Sequence, residues 1–133
     1  MERLDHIGIA VASMEDAKRL FIDLLGMRLI NEGSSAEFGV RFARLAPPSG
    51  ATIELLEYLD KTAPAAAPNM LDHMAFAVDE LEPAVALLQA KGVELDRPSP
   101  TISARQGGID RSTTTLPGST FGIRIQLVEH RDD

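Results

Sequence analysis

Two histidines stand in near-copies of one phrase. Leu4-Asp5-His6-Ile7-Gly8-Ile9-Ala10-Val11 returns as Leu71-Asp72-His73-Met74-Ala75-Phe76-Ala77-Val78. A second echo links Ile53-Glu54-Leu55-Leu56-Glu57 to Ile125-Gln126-Leu127-Val128-Glu129. A chain that repeats one unit is expected to pack the two copies together, with equivalent positions meeting near a pseudo-twofold axis. The equivalent positions are His6 with His73 and Glu54 with Gln126. Two imidazoles, a carboxylate and an amide oxygen form a donor set for one divalent cation. Zn²⁺, Ni²⁺, Co²⁺, Mn²⁺ or Fe²⁺ would suit it, with open positions left for water or substrate.

Each residue also has a plainer reading. A histidine in an apolar strand is more often a packed or surface residue than a ligand, but two of the three histidines here fall at matched repeat positions. Glu54 lies between Ile53 and Leu55, and a buried carboxylate needs a cation or hydrogen-bond donors. Gln126 offers either an amide ligand oxygen or a supporting hydrogen bond. An amide in place of a second carboxylate leaves the site about one unit more positive, a stronger Lewis acid toward an oxyanion. It also removes a base, so Glu54 alone would move a proton. Two histidines with one carboxylate also match the facial triad of non-haem iron oxygenases.

Arg124 shares strand parity with Gln126 and reads equally as a solvated rim residue or as an anchor for a substrate carboxylate or phosphate. Arg105, in Ser103-Ala104-Arg105-Gln106-Gly107-Gly108, lies in a stretch expected to be a lid-like loop and is a second substrate-binding candidate. Arg41 and Arg111 are weaker ones. Asp5 and Asp72 are expected to be structural.

The elements that must position these groups follow from periodicity. Leu4 to Val11 alternates as a strand, with Ile7, Ile9 and Val11 on one face and His6, Gly8 and Ala10 on the other. A helix starts at Ser13, with an apolar stripe of Ala17, Leu20, Phe21, Leu24 and Leu25, and Gly26 stops it. Met27 to Ile30 is expected as a short strand, residues 31–35 as a polar turn, and Phe38 to Leu45 and Thr52 to Glu57 as strands. The second half repeats the plan: a strand at His73, a helix from Leu81 to Ala90 closed by Gly92, a loop from Arg97 to Gly108, and strands from Arg111 to Leu116 and Gly122 to Glu129. Each half thus reads βαβββ. The expectation is one domain over residues 1–133, with one module at 1–58, an Ala/Pro linker at 59–70 and a second module at 71–133.

Composition narrows the function. With 133 residues, 44% of them apolar, the chain can bury a core, and its net charge of −7 argues against nucleic acid as a partner. No apolar run reaches the roughly 18 residues of a membrane span. The absence of cysteine excludes thiolate chemistry and disulfides, and with no signal-peptide pattern near Met1 it suits a cytoplasmic protein.

On the two histidine phrases and on Gly122-Ile123-Arg124-Ile125-Gln126-Leu127-Val128-Glu129, the chain resembles the vicinal oxygen chelate superfamily, which includes glyoxalase I, methylmalonyl-CoA epimerase, extradiol dioxygenases and fosfomycin-resistance proteins. The resemblance covers almost the whole chain. It implies an α+β fold of two tandem βαβββ modules forming a curled, cup-shaped mixed sheet with helices outside. It implies metal ligation by His6, Glu54, His73 and Gln126, with Glu54 also the catalytic base, and a small-molecule substrate and a homodimer. The activity implied is a metal-dependent lyase, isomerase or epimerase that stabilises an enolate of a 2-oxo or acyl-thioester compound. The alternatives are an Fe(II) ring-cleaving dioxygenase and a non-catalytic, ligand-sequestering protein. Two positions depart from the epimerase pattern, which has a glutamate where this chain has Gln126 and a second catalytic glutamate where it has Phe42.

Overall fold

The computed structural model describes residues 3–60, 70–105 and 107–132. Its eight strands and two helices are those of an α+β protein in two βαβββ modules. The first contains β1 (Arg3–Ala10), α1 (Met14–Lys18), β2 (Arg28–Ser35), β3 (Val40–Ala46) and β4 (Thr52–Tyr58); the second contains β5 (Met70–Ala77), α2 (Leu81–Ala90), β6 (Thr101–Arg105), β7 (Gly108–Thr114) and β8 (Ile125–Asp132). The linker expected at 59–70 falls mostly on residues 61–69, which lie outside the described residues, and Met70 already belongs to β5. No helix among the described residues is long and apolar enough to cross a membrane.

In the first module the strands run in the order β2-β3-β4-β1, with β1 parallel to β4 and the other pairs antiparallel. Val11, Met14, Ala43, Leu45 and Leu55 form its core, and Ile9, Ala17, Phe21 and Ile22 pack on them. In the second module the order is β5-β8-β7-β6, again with one parallel pair, β5 with β8. Val78, Leu81 and Leu127 form that core, with Phe76, Ala84, Val85 and Leu88 around them.

Four expectations need correction. The stripe on the first helix is only partly inward, because α1 continues as a π-helical stretch, Arg19–Leu24, in which the Leu25 amide donates to the Leu20 carbonyl. The wider turn carries successive residues past the 3.6-residue stripe, so Phe21 and Ile22 face the core while Leu20, Leu24 and Leu25 are exposed. Residues 31–35 are not a turn: β2 runs on to Ser35 and pairs with β3, which supplies the hydrogen bonds that its polar side chains do not advertise. The region expected as a loop from Arg97 to Gly108 contains β6, hairpinned onto β7. Gly108 is required there, since a Cβ would lie 2.0 Å from the Arg131 carbonyl oxygen of the neighbouring strand. β8 also starts later and runs further than expected, from Ile125 to Asp132.

The chain divides into two compact units whose boundary cuts both histidine strands. One unit runs from His6 to Asp72, and the other joins the residues through Asp5 to those from His73 onward. The two aspartates show why. Within the first unit the Tyr58 hydroxyl donates to Asp72 at 2.7 Å. Within the second, His130 Nε2 lies 2.8 Å from Asp5 and its Nδ1 2.7 Å from Asp110. Tyr58 and His130 hold equivalent places at the ends of β4 and β8, so each aspartate is tied to the strand end of the opposite repeat.

A carboxylate at each ring nitrogen calls for two N–H donors, the protonated imidazole. Burial opposes that charge, but the hydrogen bonds to Asp110 and Asp5 outweigh it and raise the His130 pKa above its ordinary 6.5. A raised histidine contributes stability in full below 6.5, and the contribution fades as pH rises through the folded value. The urea midpoint of wild type should therefore exceed that of His130→Gln at pH 6, and the gap should shrink by pH 9. A gap that widens with pH would show that the imidazole is held neutral.

Candidate metal centre

The parallel pairs place the predicted ligands. On β1 and β4, Gly8 stands beside Glu54 and His6 beside Thr52. Partners in register share a face, so His6 and Glu54 lie diagonally on one side, two residues apart along the strand, with no side chain at Gly8 to crowd the carboxylate. The second module repeats this arrangement. Ala75 stands beside Gln126, and His73 lies two residues before Ala75 on the same face. The sequence echo is thus an echo of register, with a small residue beside each oxygen donor.

His6, Glu54 and His73 each offer one ligand atom, and these atoms all lie within 4.8 Å of one another. Three N and O donors at that spacing are close enough to share one cation, whose bonds to them would be about 2.0–2.2 Å. His73 is buried and the Glu54 side chain is only 12% exposed. Gln126 adds an independent sign. Its Oε1 is buried and accepts no hydrogen bond among the described residues. A buried acceptor with no donor is costly, and a cation would relieve it. The donor set and this orphaned oxygen together fit a divalent metal.

Sequence reading missed Arg44. It pairs with Glu54 across β3 and β4, and its Nε donates to Glu54 Oε2 at 3.0 Å. Its guanidinium lies 5.8 Å from the centroid of the Phe42 ring, so Phe42, Arg44 and Glu54 share one face. The signal was available, because Arg44 has the strand parity of Phe42.

The other arginines are placed differently. Arg124 is half-buried just before β8. Arg105 ends the edge strand β6 and binds Asp110 and Asp132, each at 2.7 Å. Arg41 binds Glu57 and Glu15, and Arg111 binds Glu129 and Glu82. These last two trios are repeat-equivalent: a β3 or β7 arginine, a β4 or β8 glutamate, and a glutamate at the start of the same module's helix. Each ties helix to sheet.

Paired βαβββ modules carrying a histidine–glutamate–histidine group define a protein of the vicinal oxygen chelate type. Residues 5–110 match the model of the Glyoxalase/Bleomycin resistance protein/Dioxygenase superfamily, and the chain belongs to that superfamily. It is 30% identical over 139 residues to the uncharacterized protein YqjC of Bacillus subtilis, covering 100% of this chain and 96% of the relative. Among solved structures it resembles the hypothetical protein BH1468 of Bacillus halodurans, at 26% identity with a TM-score of 0.84, covering 98% of this chain and 96% of that one. It equally resembles the methylmalonyl-CoA epimerase of Mycobacterium tuberculosis, at 32% identity and a TM-score of 0.84, covering 96% and 87%.

Proposed function

We propose that the protein is a divalent-metal-dependent isomerase, epimerase or lyase acting on a small 2-oxo or acyl-thioester compound. The observation that carries this reading is the mutual approach of His6, Glu54 and His73, whose ligand atoms all lie within 4.8 Å of one another. The superfamily match and the likeness to a methylmalonyl-CoA epimerase support it. A bound divalent ion supplies Lewis-acid stabilisation of negative charge developing on a substrate oxygen. His6 and His73 give neutral nitrogen donors, and Gln126 gives its amide oxygen. Glu54 is the sole carboxylate of the group, so it accepts the proton next to the carbonyl and returns it. Arg44 fixes one Glu54 oxygen and thereby the direction of the other. With Phe42 and Gln126 where an epimerase carries acids, one residue serves as both acid and base, which suits a one-base isomerisation.

Protein purified without added metal should contain about one equivalent of a first-row divalent ion, or take one up from Ni²⁺, Zn²⁺ or Mn²⁺. It should exchange solvent deuterium into the α-position of a 2-oxo acid or acyl-CoA. No affinity for any of these ions would overturn the reading in favour of ligand sequestration. Iron content with oxygen uptake on a catechol would replace it with ring cleavage.

Gln126→Glu should keep the metal and raise the exchange rate about tenfold or more, because it restores a second proton-transfer group. Unchanged exchange with metal retained would refute the one-base account.

A further inference from the structure

We propose that Arg44 is the anion anchor of this centre: its Nε holds Glu54 while its two terminal nitrogens receive a carboxylate carried by the substrate. The inference rests on the metal-dependent reading above and narrows the substrate to the carboxylate-bearing members of its class.

The argument begins with charge. The chain is acidic, with a net charge of −7, so an anionic substrate needs a local cation. Arg41, Arg105 and Arg111 each grip two carboxylates and are fully compensated. Among the described residues Arg44 has one ion-pair partner, Glu54. When Glu54 also serves a divalent ion, its charge is shared and Arg44 is left with uncompensated positive charge on the same face. Geometry agrees. The side chain is 40% exposed, its Nε is spent on Glu54, and its Cζ lies over the Phe42 ring, 5.8 Å from the centroid. A planar guanidinium held by one edge still presents N–H donors on its two terminal nitrogens, which match the two oxygens of a carboxylate. Lysine cannot fill both roles, since its ammonium is a single point charge. Phe42 gains a purpose in this arrangement, as the platform that holds the fork.

Three probes separate the anchor from the metal: acetohydroxamate, which chelates a metal and carries no carboxylate, and the malonic and succinic monohydroxamates, which chelate alike and do. Calorimetry on the Ni²⁺-loaded protein should show at least one monohydroxamate binding about tenfold or more tighter than acetohydroxamate. Arg44→Gln should abolish that preference and Arg44→Lys should keep part of it, while the affinities for Ni²⁺ and acetohydroxamate do not fall in either variant. The assignment is overturned if wild type shows no preference, if Arg44→Gln keeps it, or if Ni²⁺ and acetohydroxamate binding are lost along with it, which would mark Arg44 as structural. Wild type that takes up no Ni²⁺ would instead sink the metal-dependent reading, and this inference with it.

Discussion

His73→Ala should lower the affinity for Ni²⁺ or Zn²⁺ by about 100-fold or more. Loss of a residue that merely supports a ligand typically costs about 10–100-fold, and His73 is predicted to be a ligand itself. The effect is legible in stability. An ion that binds only the folded state at about 100 times its Kd adds about 2.7 kcal/mol, and the variant should lose nearly all of that increment. Thermal melts with and without metal measure it directly. His130→Ala is the matched control, since His130 is bound by Asp5 and Asp110 and lies outside the donor group. Its metal-induced shift should equal that of wild type. An undiminished shift in His73→Ala would remove His73 from the centre. Circular dichroism of the metal-free variant guards against a folding defect, because His73 is buried and its truncation leaves a void.

The grouping of His6, Glu54 and His73 could be read from the chain because the repeat is written in residues that the fold also repeats. His6 with Gly8 and His73 with Ala75 are the same device, and the register places each small residue beside Glu54 or Gln126. Strand parity then fixed a common face within each module. What could not be read depended on backbone pairing and side-chain contacts that residue type does not announce. Nothing local marks Asn31 to Ser35 as strand, since their order comes from backbone pairing with β3. The leucines of the first helix follow a 3.6-residue stripe, and only the π-helical turn shows why three of them stay outside. Arg105 reads in the sequence as available for a substrate because its partners Asp110 and Asp132 are brought to it by the β6–β7 hairpin and the far end of β8. Arg44 was missed for the opposite reason. Its parity was plain, but its value appears only when Glu54 is seen opposite it.

The repeat also predicts where its two copies diverge. Ser13 caps the first helix by accepting the Asp16 amide on its hydroxyl. The equivalent position before α2 is Glu80, whose side chain makes no capping bond. The missing acceptor comes instead from β8, where Glu129 takes the Leu81 amide at 2.7 Å and also binds Arg111 and Arg131. Glu129 is 3% exposed. Burial pushes its carboxyl up, but the Leu81 amide and the two guanidinium groups outweigh that and hold it below the usual glutamate value. Glu129→Ala should therefore destabilise the protein by about 3–5 kcal/mol, the usual cost of breaking a buried, hydrogen-bonded ion pair from one side. The sign with pH is fixed too: a lowered carboxyl contributes fully above its unfolded value, near 4.5, and the contribution is lost as pH falls through the folded one. Urea unfolding at pH 7 should show the full deficit, and the gap from wild type should close on acidification. Glu57→Ala is the internal comparison. Glu57 occupies the equivalent strand position and binds Arg41, but Arg41 is 43% exposed and Ser13 already caps that helix. Its loss should cost about 1 kcal/mol or less, as exposed pairs do. Equal costs for the two glutamates would mean that helix capping by Glu129 contributes nothing beyond its ion pairs.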